Sequence, residues 1–288
     1  MSTSLRFALF GNVYQHAKSA AIRQVLDCLQ RHHAQVLIDE EYLDFLQCSE
    51  LIEVGDDVQT FSGNDFEADF AISMGGDGTF LQAANRVGEQ QIPILGVNMG
   101  RLGFLADITP KDIESTIDAL CKGDFAVEER AVIQVDTGAR ALNDVAILKR
   151  DSASMISIRT SINGEYLTTY QADGVIISTP TGSTAYSLSN GGPIITPGTG
   201  VFLLTAVAPH SLNTRPIVIP DSAVIELTVS SRSHSFLVAV DGRSEKLPEG
   251  TTLRICRAPY NVRVVKRVAQ QYFATLREKM MWGADTRE

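Results

Sequence analysis

The sequence predicts two domains of different class. Residues 1–124 form an α/β domain, a mostly parallel sheet covered by helices. Residues 125–267 form an all-β sandwich, and a closing helix within residues 268–288 packs back on the first domain. Three observations carry this reading. Short apolar runs alternate with helix-spaced segments in the first 124 residues. From about Phe125 the helical spacing gives way to closely spaced β-rich runs. Helical spacing then returns from Ala269 to Met281, with Phe273, Leu276, Met280 and Met281 in phase. The length of 288 residues suits two domains of about 150 residues each.

The first half opens with Leu5 to Phe10, an apolar run stopped by Gly11-Asn12, which reads as a buried strand. Ala17 to Arg31 follows as a helix, with Ala21, Val25, Leu26 and Leu29 at helical spacing. Gln35 to Ile38 is a second strand and Asp39 to Cys48 a short helix. Gly63-Asn64 marks a loop. Ala68 to Met74 is a third apolar run, stopped by Gly75-Gly76-Asp77-Gly78-Thr79, and Phe80 to Val87 is helix-spaced. Ile94 to Val97 is a fourth strand, and Pro110 to Leu120 a helix with proline at its start. In the second half, strands are expected at Val132 to Val135, Val145 to Leu148, Ile156 to Ile162, Tyr166 to Tyr170 and Val175 to Ser178. More are expected at Phe202 to Ala206, Val224 to Val229, Phe236 to Val240, Leu253 to Ile255 and Val262 to Val265. Asn163-Gly164 between two alternating runs is a hairpin signal, and Asp241-Gly242 is a second candidate turn.

Composition excludes several classes. Hydrophobic residues make up 44% and charged residues 20%, which rules out wholesale disorder. Twenty-five basic against 34 acidic side chains give a net charge of −9, and no basic patch suited to nucleic acid is visible. The four cysteines, Cys28, Cys48, Cys121 and Cys256, are scattered without a CxxC pair and read as reduced structural thiols. The N-terminal apolar stretch is too short for a signal sequence, and no run of about 18 apolar residues exists. A cytoplasmic protein without a membrane or nucleic-acid partner is the expectation.

Three stretches carry chemistry. Gly75-Gly76-Asp77-Gly78-Thr79 follows a strand and opens a helix. Glycines there let backbone N–H groups approach phosphate oxygens, which makes Gly75, Gly76, Gly78 and Thr79 a candidate phosphate loop. The carboxylate of Asp77 suits a proton acceptor or a metal ligand. The bland alternative is a glycine-rich turn with Asp77 capping the helix. Asn143-Asp144, before an apolar strand, pairs an amide with a carboxylate. The pair could hold two ribose hydroxyls, or it could be an Asn-Asp turn. The third stretch, DGVIISTPTGSTAYSLSNGGP at 173–193, is a buried strand emptying into a loop dense in hydroxyls and glycines. It suits a polar ligand, with Tyr186 available to pack on a base; a Ser/Thr/Gly-rich turn is the alternative. None of the five histidines, His16, His32, His33, His210 and His234, is positioned to activate a serine there, and no GxSxG elbow is present.

Together these three stretches resemble the NAD kinases, and ILGVNMGRLGFLAD at 94–107 and APHSLNTRP at 208–216 resemble further parts of that family. GGDGT alone is shared with lipid kinases and phosphofructokinases; the long 173–193 stretch is far more specific. The resemblance implies a Rossmann-like parallel sheet followed by the β-rich domain. It also implies transfer of the γ-phosphoryl of ATP, with a divalent metal (Mg²⁺ or Mn²⁺) not held by a cluster of protein ligands, to the 2′-hydroxyl of the adenosine ribose of NAD. Asp77 matches the family's proton acceptor and lies with Gly78 on the NAD site. Asn143-Asp144 stands where the family has Asn-Glu, one methylene shorter. Asp173 matches the nicotinamide-side aspartate. Thr184, Ala185, Tyr186, Ser187, Leu188 and Ser189 match the adenosine-binding segment, and Ser154 and Gln171 fall at two further contact positions. Family members form homodimers or homotetramers in which a neighbouring subunit completes the NAD site. Two alternatives stay open at this point: a lipid kinase of the same superfamily, and a non-catalytic NAD-binding module. A phosphofructokinase is excluded because its second half should be α/β.

Overall fold

The computed structural model describes residues 4–12, 19–48, 58–100, 102–150, 154–266 and 272–281. Its chain divides into two compact units, Met1–Glu129 with Val262–Glu288, and Arg130–Asn261.

In the first unit β1 (Arg6–Gly11) leads to α1 (Ser19–Arg31), β2 (Gln35–Asp39), α2 (Glu40–Cys48) and β3 (Gln59–Phe61). Then come β4 (Phe70–Gly75), α3 (Asp77–Val87), β5 (Ile94–Asn98) and α4 (Ile113–Lys122). Residues 17 and 18, where the sequence places the start of the first helix, lie outside the described residues. The helix predicted from Pro110 begins with a 3-10 turn, Pro110–Asp112, before α4. The strands are parallel in the order β3-β2-β1-β4-β5. Both sides of β4 are buried, FAISMG without alternation, because helices cover both faces of a parallel sheet. The direction of winding reverses between β1 and β4, and ligands of such sheets bind beyond the carboxyl ends of the strands at that point. GGDGT lies at that end of β4. β3 was missed from sequence: Gln-Thr-Phe is too short and too polar to show as an apolar run.

The helix after GGDGT is firmly anchored. Arg86, in its last turn, stacks its guanidinium 5.3 Å from the Phe10 ring centroid and 5.2 Å from that of Phe61, and pairs with the carboxylate of Asp39.

The second unit opens with β6 (Ala126–Val135), which begins in the first unit, and β7 (Arg140–Ala141). It continues through β8 (Asp144–Lys149), β9 (Ile156–Ile162), β10 (Glu165–Ala172) and β11 (Gly174–Ser178). After one helical turn, α5 (Tyr186–Ser189), come β12 (Val201–Val207), β13 (Ile217–Pro220), β14 (Ile225–Ser230), β15 (Ser235–Val240) and β16 (Arg243–Pro248). One antiparallel sheet runs β13-β12-β11-β8-β15-β16, and β10-β9-β14 continues into β17 (Thr252–Lys266) as the other. Val145, Ile147, Val175, Ile177, Phe202 and Phe236 of the first sheet share one core with Ile156, Ile158, Ile225, Leu227, Leu253 and Ile255 of the second. This is the sandwich predicted from the alternating runs.

Several elements differ from the sequence reading: β7 and β13 were not expected, and β6 begins at Ala126 rather than Val132. The strands expected at 253–255 and 262–265 are one continuous strand, β17, running through Pro259 from one unit into the other. The edge strand β16, Arg-Ser-Glu-Lys-Leu-Pro, was not expected, because a mostly exposed, charged edge carries no apolar alternation. The chain closes with α6 (Tyr272–Met280) in the first unit; residues 269–271, where the sequence starts this helix, lie outside the described residues. Among the described residues no helix is long and apolar enough to cross a membrane.

Candidate functional site

The GGDGT segment is shaped by contacts inside the first unit. A Cβ on Gly75 would overlap the side chain of Thr79, so the tight exit from β4 into α3 requires glycine there. Gly76 is the N-cap, without a side-chain cap, and Asp77 is the first helical residue. The capping role weighed for Asp77 is therefore not the one it has. Its carboxylate instead points at the loop after β5. Oδ2 accepts from the Phe104 N–H, and Oδ1 from the N–H groups of Leu105 and Ala106, each at 3.0 Å. The Lys279 ammonium of α6 donates to Oδ2 at 3.1 Å. A Cβ on Gly103 would collide with Oδ1, so glycine is what allows this loop to close on the carboxylate. Buried Asp107, paired with Lys266, ties the far end of the loop. Around Gly76 and Gly78, by contrast, a Cβ would meet nothing within 4 Å. Their lack of a side chain serves no packing, which leaves their backbone open to a ligand.

Burial pushes the pKa of Asp77 up, but the three backbone donors and Lys279 outweigh burial and hold it below the usual carboxylate range. Asp77 is thus ionised at neutral pH. Its contribution to stability is present above the unfolded value of about 3.8 and is lost as pH falls through the lower folded value.

In the second unit, Asn143 and Asp144 sit at the start of β8, and Asp144 is opposite Ser178 of β11. A second carboxylate organises them. Asp241 accepts from the N–H groups of Leu142, Asn143 and Asp144 at 2.8, 2.9 and 3.1 Å, and its own N–H donates to the Asp144 carbonyl at 3.0 Å. Asp241 occupies the left-handed turn between β15 and β16 (φ 47°), with Gly242 (φ 82°) beside it. The hydroxyl-rich stretch packs on the same turn. The Thr179 N–H donates to the Asn143 carbonyl at 2.9 Å, and Gly182 lies so close to the Asn143 backbone that a Cβ would overlap it. The Tyr186 N–H donates to the Asp144 carboxylate. The stretch is not a plain loop: a 3-10 turn, Gly182–Thr184, precedes the helical turn α5.

Of the adenosine-segment residues, the Tyr186 ring is 40% exposed and Ser189 is exposed, so both present surface to a ligand. Thr184, Ala185 and Leu188 are half-buried. The Ser187 hydroxyl points inward, 2.8 Å from that of Thr205. Asp173 and Gln171 lie elsewhere. Asp173 pairs with Lys149 at 2.7 Å at the far end of β8, five residues or roughly 17 Å from Asp144. Gln171, exposed on β10, donates to the Ser157 hydroxyl at 2.9 Å. Ser154 is half-buried just before β9. The structure thus joins Asn143, Asp144 and residues 184–189 and leaves Asp173, Gln171 and Ser154 apart from them.

Burial pushes the pKa of Asp144 up to about 7, with repulsion from Asp241 adding to it. Burial also raises the pKa of Asp241, and its three backbone donors pull the other way. An acid with a raised folded pKa favours the folded state at low pH. This contribution is lost as pH rises from about 4 to about 7. Asp241→Asn removes the repelling charge and keeps an acceptor for the turn. It should move the Asp144 titration to lower pH, measured as an acid-ward shift of the pH dependence of stability and of NAD affinity. An unmoved profile would show that Asp241 exerts no charge effect on Asp144.

The ATP-NAD kinase N-terminal domain family matches residues 8–125, and the ATP-NAD kinase C-terminal domain family matches residues 142–267. The NAD kinase of Bacteroides fragilis is 55% identical, over 98% of this chain and 100% of the relative. This chain belongs to the NAD kinase family. The NAD kinase of Porphyromonas gingivalis is 41% identical over 98% of this chain and 99% of its own length. Among solved structures, yeast NADH kinase complexed with NADH superposes with a TM-score of 0.87, covering 99% of this chain and 89% of that one at 23% identity. An Archaeoglobus fulgidus NAD kinase in complex with ATP gives 0.75, covering 96% and 99% at 24% identity. At those identities the likeness is one of fold, and it is the NAD kinase fold of an α/β unit followed by an antiparallel sandwich.

The sequence reading missed three side chains that contact the predicted site residues. Asp241 was visible only as a turn former; the carboxylate that receives the turn's amides has no local signature. Lys149, the partner of Asp173, ends an otherwise ordinary strand. Lys279 lies 202 residues from the aspartate it touches.

Proposed function

We propose that this chain transfers the γ-phosphoryl group of ATP to the 2′-hydroxyl of the adenosine ribose of NAD, giving NADP and ADP. The observation that carries the reading is the Asp77 loop: an ionised carboxylate at the switch point of a parallel sheet, flanked by two glycines whose backbone is open. In this reading Gly75, Gly76, Gly78 and Thr79 cradle the nucleotide phosphates with backbone N–H groups and the first turn of α3. Asp77 accepts the proton of the 2′-hydroxyl late in the transfer, when that oxygen has become acidic. Asn143 and Asp144 hold the ribose hydroxyls, and Thr184 to Ser189 receive the adenosine, with the Tyr186 ring against the base.

Among the described residues no group of three or more His, Cys, Asp or Glu is placed to hold a metal ion, and both oxygens of Asp77 already face donors. The divalent cation, Mg²⁺ or Mn²⁺, enters with the substrate as MgATP. Asp173 serves the nicotinamide side of the NAD, and Gln171 and Ser154 are further contacts in a site that a neighbouring subunit completes. This accords with their distance from Asp144 and calls for a homodimer or homotetramer. A cytoplasmic location fits the four unpaired thiols.

The test is NADP formation from ATP and NAD, run beside binding. NAD at 100 times its Kd should raise the unfolding free energy by about 2.7 kcal/mol, and diacylglycerol should not. A melting shift with lipid and none with millimolar NAD would instead indicate a lipid kinase.

A further inference from the structure

Asp77 carries one contact that its own chemistry does not need. Three backbone N–H groups already reach its two oxygens. The fourth donor, Lys279, comes from a separate helix at the end of the chain. Its ammonium also lies 4.5 Å from the centroid of the Phe104 ring, and the Phe104 ring in turn packs at 6.4 Å on Tyr272 at the start of the same helix. Buried Thr275 and Leu276 seat the helix between these two points. The Lys279 side chain is 30% exposed and that of Asp77 29%, so an ion pair there contributes little to stability. What the arrangement does achieve is to place a positive charge at the carboxylate end of the GGDGT loop. An ammonium has three N–H donors, and Asp77 receives one of them.

We infer that Lys279 is a working part of the phosphoryl-transfer centre, binding the γ-phosphoryl oxygens of the donor nucleotide. The inference rests on the function proposed above. In the substrate-free protein Lys279 rests on Asp77, which makes that carboxylate a weaker base. When the triphosphate arrives, its denser negative charge draws the ammonium away and leaves an Asp77 lone pair for the 2′-hydroxyl. The bond from the 2′-oxygen to the γ-phosphorus forms as the bond from that phosphorus to the bridging β,γ-oxygen breaks. ADP leaves with that bonding pair, and the 2′-hydroxyl proton passes to Asp77. Lys279 stays protonated throughout and offsets the charge on the three equatorial oxygens. Glu278, on the same helix, is exposed and serves as the control.

The experiment compares wild type, Lys279→Ala, Lys279→Met, Lys279→Arg and Glu278→Ala in the intact chain. Activity, separate ATP and NAD affinities and melting temperature are measured for each, and Lys279→Ala is also assayed with added methylammonium. Expected for the Ala and Met variants is a fall in kcat of about 10- to 100-fold, with weaker ATP binding and unchanged NAD binding. Arginine should retain part of the activity, and methylammonium should restore part of it to the alanine variant. Glu278→Ala should match wild type. The Met variant keeps the stem packed on Phe104 and serves if alanine unsettles the helix. An active wild type with equally active or faster Lys279 variants overturns the inference and leaves the proposed function standing. A loss in folded variants that neither arginine nor methylammonium relieves also overturns it. A wild type that forms no NADP overturns the proposed function instead, and ATP affinity unaffected by Lys279 would then overturn the inference as well.

Discussion

Replacing Asp77 by asparagine is expected to lower kcat by about 10²–10⁴ while NAD affinity changes far less. The 2′-hydroxyl must lose its proton during transfer, and the amide oxygen of asparagine cannot take it. The lost interaction is made mainly in the transition state, so it appears in kcat rather than in binding. The surroundings of Asp77 add a second consequence. Asparagine can still accept from Leu105 and Ala106 through its oxygen, but its NH₂ group then faces the Phe104 N–H and the Lys279 ammonium, both donors. A stability loss of about 1–3 kcal/mol should accompany the kinetic defect. Melting curves separate the two, because catalysis should remain low at temperatures where the variant is fully folded. A magnesium titration separates base from metal ligand: rescue by excess Mg²⁺ would assign Asp77 to the metal. Near wild-type kcat at every concentration would exclude both roles.

The second large effect is expected at Asp144. Its carboxylate, proposed above to hold the ribose, sits on a turn that Asp241 holds with three hydrogen bonds. Asp144→Ala should weaken NAD binding by roughly 10- to 150-fold, the loss of a charge-assisted bond of about 1.5–3 kcal/mol, with ATP affinity nearly unchanged. Stability should move the other way when only the charge is removed. Asp144→Asn keeps an acceptor for the Tyr186 N–H and ends the repulsion with Asp241, so at pH 8 it should be as stable as wild type or more so. The difference should shrink as pH falls below about 7, where wild-type Asp144 is protonated. A binding loss joined to a stability gain at high pH is the mark of a group kept for function against its folding cost. Equal NAD affinity in Asp144→Ala would leave the residue as part of a turn and move ribose recognition elsewhere.

The two domain classes are legible in the amino-acid order alone, because each rests on a local period: apolar runs alternating with helix-spaced segments in one half, two-residue alternation in the other. That order also exposed GGDGT and the 173–193 stretch, whose glycines and hydroxyls are contiguous along the chain. Asn143-Asp144 was legible as a pair, though not as a buried one. Tertiary structure decided the rest, for a physical reason common to each case. The basicity of Asp77 depends on the amides of residues 104–106 and on Lys279, and that of Asp144 on Asp241, 97 positions away. These are electrostatic neighbours, and electrostatics falls with distance in space rather than along the chain. Strand register, likewise, put Asp173 at the far end of β8 from Asp144, although the sequence reading grouped both as one ligand's contacts. Local pattern could name the candidate groups; only the folded chain set their charge, their donors and which of them stand together.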